Sequence, residues 1–156
     1  MHLLFVCSGN TCRSPLAESI ARQLVLDRNL RDIEVKSAGT SANANAPASD
    51  GALLVALEQG LDLSTHRSQE LSPELVQWAD VILTMGSHHL DVARSLGGNG
   101  RSYLLSDFAS RGEDHRNISD PFGADLAVYR ATFVELAHEI GNALDRLMSE
   151  RQTRSV

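Results

Sequence analysis

Leu3-Leu4-Phe5-Val6 is an unbroken apolar run near the start of the chain, a pattern that suits a strand covered on both faces. Beyond it the period changes. Leu16, Ile20, Leu24 and Val25 recur at helical spacing, and Pro15 fits the first helical turn, where its missing N–H does no harm. Ile33 to Lys36 reads as a second strand that ends at Ser37-Ala38-Gly39. A polar loop from Thr40 to Pro47 leads into a helix with Leu53, Leu54 and Leu57 on one side, and Gly60 is placed to cap it. Ser72-Pro73-Glu74 signals another helix start, and Trp78 to Met85 has the apolar centre of a third buried strand. A short helix opens at Ser87-His88-His89 and closes at Gly97-Gly98-Asn99-Gly100, after which Arg101 to Leu105 supplies a fourth strand. A polar loop from Asp107 to Ser119 and the segment Asp120-Pro121-Phe122-Gly123 precede a long amphipathic helix from about Leu126 to Met148. Strands alternating with helices predict an α/β fold. The expected form is a single three-layer domain over residues 1–156, a four-stranded parallel sheet flanked by helices on both faces. The tail from Ser149 to Val156 is expected to fray.

Composition narrows the possible partners. The chain has 156 residues, 42% of them hydrophobic, enough for one sizeable core. Its 14 Lys plus Arg against 20 Asp plus Glu give a net charge of −6, which argues against a surface built for nucleic acid or anionic lipid. Any anion must therefore be held locally. The opening residues carry no basic leader, and the apolar run is too short to be a secretory or membrane segment, so the expected compartment is the cytoplasm. Two cysteines, Cys7 and Cys12, are too few for a disulfide scaffold or a thiolate zinc site. His88 and His89 are adjacent, point about 100° apart on a helix and have no further ligands near them in the sequence. They read as exposed helix residues, and neither a metal nor a cofactor is expected.

The chemistry concentrates where the first strand meets the first helix, in Cys7-Ser8-Gly9-Asn10-Thr11-Cys12-Arg13-Ser14. In open parallel sheets ligands gather at the carboxyl ends of the strands. A short loop there can turn successive N–H groups inward as an anion nest, reinforced by the positive end of the helix dipole. Gly9 permits unusual backbone angles and Asn10 tolerates the left-handed region. Arg13 adds a planar fork able to grip two phosphate oxygens, and the same field favours an ionised, nucleophilic sulfur at Cys7. A lone cysteine at a strand end is more often plain packing. The spacing C-x5-R-S between strand and helix points instead to phosphoryl transfer to sulfur.

Val6 to Pro15, Ser37-Ala38-Gly39-Thr40, His66-Arg67 and Asp120-Pro121 together resemble, in order and spacing, the low-molecular-weight protein tyrosine phosphatases, whose fold is flavodoxin-like. The resemblance spans essentially the whole chain. It implies that Cys7 is the nucleophile, Arg13 the phosphate clamp, and Asp120 the general acid and then base of a two-step reaction through a cysteinyl-phosphate. It also implies that Ser8, Gly9, Asn10, Thr11 and Cys12 surround the phosphoryl group, that Ser14 stabilises the departing sulfur, and that Asn10, Ser37 and His66 hold the loop in shape. The dipeptide Asp120-Pro121 taken alone marks an ordinary turn. A leaving group that departs as a strong base nonetheless needs a proton, which a carboxylic acid facing the loop can give and later recover from water. Two readings of Cys12 stand side by side: buried filler, or a resolving thiol that traps an oxidised Cys7 as a reversible disulfide.

Substrate class follows from what is scarce. Aromatic residues make up 4% of the chain, and the loop from Ser41 to Pro47 has none. A phenyl ring would find little besides Phe122 to stack on. Many tyrosine-specific relatives carry isoleucine where this chain has Thr11, whereas the bacterial protein-arginine phosphatases resemble it in having threonine and a D-P-F-G segment. A guanidinium offers several N–H donors, so the Thr11 hydroxyl and the Asp120 carboxylate suit it better than a methyl wall would. The expected activity is hydrolysis of phosphoarginine in proteins by a monomer, with phosphorylated proteins as its partners. The alternative is phosphotyrosine hydrolysis, Thr11 then being a β-branched residue chosen for shape. A thioredoxin-coupled arsenate reductase would need further cysteines downstream, and a non-catalytic phosphate-binding module would be expected to lose the nucleophile or the acid.

Overall fold

The computed structural model describes residues 1–154. Strand β1 (His2–Cys7) runs through the middle of a four-stranded parallel sheet with β2 (Glu34–Gly39), β3 (Val81–Thr84) and β4 (Ser102–Leu104), in the order β2-β1-β3-β4. The apolar run of β1 has a direct cause: successive side chains point to opposite faces, and both faces are covered. Leu3, Phe5 and Cys7 face the larger core with Leu16, Ala17, Leu136 and Ile140. Leu4 and Val6 face a smaller core with Val76, Ile82 and Ala93.

The larger layer contains α1 (Arg13–Asp27), α2 (Asp50–Glu58), α5 (Leu105–Ser110) and α6 (Leu126–Arg154), and the smaller holds α3 (Pro73–Trp78) and α4 (Ser87–Ala93). Each start has a local reason. Ser49 caps α2 by accepting from Ala52 N, and Ser72 caps α3 by accepting from Leu75 N with Pro73 in the first turn. Helix α2 ends as expected at Gly60: its φ of 75° lets Gly60 N reach Leu57 O at 3.1 Å and Leu61 N reach Ala56 O at 2.8 Å.

Three boundaries differ from the sequence reading. Trp78 and Ala79 belong to the end of α3 and the turn after it, so β3 starts at Val81. Leu105 opens a helix rather than closing β4; Leu105, Phe108 and Ala109 bury one side of α5 inside what reads as a polar loop. The last helix does not end near Met148: α6 continues to Arg154, and Arg151 pairs with Asp32. Residues 155–156 of the tail expected to fray lie outside the described residues. No described helix is long and apolar enough to cross a membrane.

The strand order reverses between β1 and β3, since the chain leaves β1 for one side of the sheet and returns through β3 on the other. The loop after β1 therefore opens into the crevice where ligands collect in such sheets.

Candidate active site

From Ser8 to Cys12 the chain forms a tight loop, and the carbonyls of Cys7, Ser8, Asn10 and Thr11 are tied to the surrounding structure. Thr40 N donates to Cys7 O at 3.0 Å, Ser41 N to Ser8 O at 2.9 Å, and Ser49 N to Thr11 O at 2.9 Å. His66 Nε2 lies 2.7 Å from Asn10 O, and since a carbonyl can only accept, that nitrogen carries the proton. Among the described residues, none of the amides from Ser8 to Cys12 donates to a protein acceptor. With those carbonyls fixed and the amides left without protein acceptors, the loop has the makings of an anion nest.

Asn10 is the keystone of the loop. Its φ is 56°, in the left-handed region, whereas Gly9 has no positive φ. A methyl at Gly9 would sit 3.6 Å from Thr11 Oγ1, an ordinary contact, so the backbone freedom expected of Gly9 is supplied by Asn10 instead. The Asn10 side chain uses both ends: Nδ2 donates to Ser14 Oγ at 2.7 Å and to Ser37 Oγ at 2.9 Å, and Oδ1 accepts from Gln69 N at 3.0 Å. Gly39, by contrast, has a strict steric role. A Cβ there would collide with the Ser8 carbonyl oxygen and stand 2.9 Å from Asn10 N, so β2 can support the loop only through a residue without a side chain.

Cys7 Sγ lies on the floor, buried, 2.9 Å from Ser14 Oγ. Because Asn10 already donates to Ser14 Oγ, the hydroxyl proton of Ser14 is free to point at the sulfur; the rival acceptor, Ala38 O, is farther away at 3.5 Å. Arg13 is 7% exposed. Its Nη1 donates to Ile118 O at 2.9 Å, and its Nη2 lies 3.6 Å from Asp120 Oδ2. Ile118 is itself moored, through Ile118 N to Met85 O at 2.8 Å and Met85 N to Val6 O at 3.0 Å. The carboxylate of Asp120 is half exposed and accepts from Phe122 N at 3.1 Å. Cys7, Ser8, Gly9, Thr11, Cys12 and Arg13 thus line a cleft of about 190 Å³, with Asp120 and Phe122 also in its wall. A larger polar hollow of about 370 Å³ beside α1 shares Ser37 and His66 but contains no nucleophile.

A sulfur that shares one cleft with an amide nest, a guanidinium and a carboxylate has a counterpart among known proteins. Residues 2–153 match the family described as low molecular weight phosphotyrosine protein phosphatase. The chain belongs to that family. A protein-arginine-phosphatase of Geobacillus stearothermophilus is 40% identical over 151 residues, covering 96% of this chain and 97% of the relative. A low molecular weight protein-tyrosine-phosphatase, PtpB of Staphylococcus haemolyticus, is 38% identical over 142 residues, 90% of this chain and 96% of its own. The solved structure of a YwlE arginine phosphatase, as a C7S mutant with phosphorylated active site serine, superposes with a TM-score of 0.90 at 30% identity, covering 97% of this chain and 99% of that one.

In this member of the family the structure brings Cys7, Arg13 and Asp120 into one cleft, and gathers Asn10, Ser14, Ser37 and His66 behind it. Cys12 does not face Cys7 through any bond: both are free thiols, and Cys12 Sγ contacts Ser49 Oγ at 3.2 Å and the Tyr129 hydroxyl at 3.4 Å. Ser49 and Tyr129, 3.1 Å apart, escape a motif reading because they join the loop from α2 and α6. Burial, and then the hydrogen bond with Cys12, push the Tyr129 hydroxyl up to about 12, so it stays protonated as a donor. His89 is the clearest departure from expectation. His88 is exposed, but His89 is buried, with Nε2 at 2.8 Å from Ser8 Oγ. The signal was the short apolar side of α4, where His89 shares burial with Leu90 and Ala93. Among the described residues no group of three or more His, Cys, Asp or Glu side chains is placed to hold a metal ion.

Proposed function

We propose that this chain is a cysteine-dependent phosphatase of phosphoarginine in proteins. The observation that carries the reading is the lining of the cleft: the Thr11 hydroxyl and the Asp120 carboxylate share it with the Cys7 sulfur, and among the described residues Phe122 is its single aromatic. A guanidinium brings N–H donors that both oxygens can accept, and the aliphatic stem of the arginine lies along Phe122. The 40% identity to a protein-arginine-phosphatase supports the same choice.

The phosphoryl group enters the nest with its oxygens on the loop amides and on Arg13, which gives up its 3.6 Å contact with Asp120. The Cys7 thiolate attacks phosphorus, the P–N bond breaks, and its electron pair goes to nitrogen. Asp120, entering this step as the neutral acid, gives that nitrogen its proton, so the arginine leaves as a guanidinium. Asp120, now a carboxylate, takes a proton from water as the water attacks phosphorus. The S–P bond breaks, phosphate is released, and Ser14 donates to the sulfur as negative charge returns to it. Asn10, Ser37 and His66 hold the loop rigid, so the nest does not have to reorganise during either step. We read the chain as a monomer acting on phosphorylated proteins in the cytoplasm, its net charge of −6 giving nucleic acid or anionic lipid no broad foothold.

A second reading is phosphotyrosine hydrolysis, favoured by the Phe122 ring, which is 72% exposed and free to stack on a phenyl group. Steady-state kinetics on matched phosphoarginine and phosphotyrosine peptides separate the two. A higher kcat/KM for phosphoarginine is expected, with turnover of both abolished in Cys7→Ser. A clear preference for the tyrosine peptide would replace the first reading by the second.

A further inference from the structure

His89 stands against the cleft, yet none of the steps above uses it. Its ring is 4% exposed, Nε2 lies 2.8 Å from Ser8 Oγ, and Nδ1 is buried with no hydrogen-bond partner among the described residues. The slot around the ring is closely fitted. A Cβ added at Gly86 would stand 3.4 Å from Nδ1 and 3.5 Å from Asn117 Cγ. Burial first, then the Arg13 guanidinium and His88, pull the basicity of the ring down to about 4, with Asp120 opposing them. The imidazole is therefore neutral near pH 7.

A neutral imidazole carries one proton, and its two tautomers place that proton differently. On Nδ1 it would be a buried donor with no acceptor, and Nε2 would have to take the hydroxyl proton of Ser8. Ser8 would then turn bare lone pairs toward a cleft that receives an oxyanion. On Nε2 it is donated to Ser8 Oγ, Nδ1 is left as an unpaired acceptor, which proteins tolerate better than an unpaired donor, and the Ser8 hydroxyl is free to donate into the cleft. Hydrogen bonds to an ionised acceptor are roughly twice as strong as neutral ones, so an oxyanion in the nest selects the second arrangement.

We propose that His89, in its Nε2–H tautomer, is a positioning residue that aims the Ser8 hydroxyl at a phosphoryl oxygen, adding one donor to the loop amides and Arg13. Ser8 alone could rotate its hydroxyl toward any nearby acceptor; His89 occupies the lone pair on the far side and leaves the cleft as the direction for the proton. The role rests on the reading of this loop as a phosphoryl site.

The test combines competitive inhibition of aryl phosphate hydrolysis by inorganic phosphate with ¹⁵N NMR of the imidazole in the native protein. Ser8→Ala and His89→Ala are each expected to weaken phosphate binding roughly tenfold, the scale of one lost hydrogen bond to an anion. The double variant should bind no more weakly than Ser8→Ala alone, and His89→Gln, whose amide can still present an N–H to Ser8, should recover most of the loss. The native ring should show the Nε2–H pattern and keep it with phosphate bound, a readout that stands even where His89→Ala does not fold. An Nδ1–H pattern with phosphate bound overturns the proposal, as do losses that add in the double variant. A His89→Ala variant that binds phosphate like the native protein overturns the positioning role alone, whereas a native protein that neither hydrolyses the aryl phosphate nor binds phosphate overturns the reading of the site itself.

Discussion

Thr11 separates the two substrate readings most sharply, because its backbone is fixed while its side chain is not committed to the protein. Its carbonyl is held by Ser49 N at 2.9 Å, and its hydroxyl makes one weak contact, 3.8 Å to Cys12 Sγ. Isoleucine at the same position keeps the β-branched shape and removes the acceptor. Thr11→Ile is expected to lower kcat/KM for a phosphoarginine peptide by about tenfold, one hydrogen bond to a charged group, while leaving phosphotyrosine hydrolysis unchanged or improved. An unchanged ratio of the two specificity constants would count against a role for the hydroxyl. At this scale the Cys7 to Ser14 segment was legible because its chemistry lies in consecutive residues. The supports were legible only in part. Ser37 and His66 could be placed from motifs, but Gln69 reaches Asn10 across 59 residues and the Ile118 carbonyl reaches Arg13 across 105. Both contacts involve main-chain atoms, which leave no trace in residue type.

Elements support the loop from behind, and a close contact between α2 and α6 is one of these supports. Gly51, in the first turn of α2, lies against the ring of Tyr129 on α6; a Cβ there would stand 2.6 Å from Tyr129 Cζ. Replacing a helical glycine with alanine ordinarily stabilises by about 0.5–1 kcal/mol. Here the added methyl must displace a buried ring that bonds Ser49 and Cys12, so Gly51→Ala is expected to destabilise by about 1–3 kcal/mol, the usual range for overpacking. Urea unfolding checks the sign, and a stabilised variant would show that the two helices are not closely apposed. Strands were legible because burial on both faces makes apolar runs, as in Leu3 to Val6. Helix α5 was not: a six-residue helix gives less than two turns of periodicity, and Asp107 and Ser110 read as loop. The end of α6 was missed for a related reason. Beyond Met148 the helix has no apolar stripe and is secured by the Arg151–Asp32 pair instead.

Across the whole molecule, parallel order and the reversal between β1 and β3 put the loop after β1, the turn after β3 and the segment around Ile118 at one end of the sheet; the alternation of strands and helices implied the parallel order, but not the strand order or the place of Ile118. Burying a neutral histidine there couples stability to pH. His89 has an ordinary value of 6.5 and is held near 4 in the fold, so between these values the unfolded chain binds a proton that the folded chain refuses. The stabilisation is complete above about pH 6.5 and is lost as pH falls toward 4, to a total on the order of 3 kcal/mol. Urea midpoints at about pH 7 and pH 4.5 should therefore separate more for the native protein than for His89→Gln, and equal separations would contradict the buried neutral ring. The anchoring of Ile118 has a last consequence, for reach. Asp120 follows two residues after that fixed point, and two residues of chain extend at most roughly 7 Å. On the proposed reading this is a short tether: the carboxyl group of Asp120 can make way for an arriving phosphate and return, while its backbone stays within that radius of the fixed Ile118.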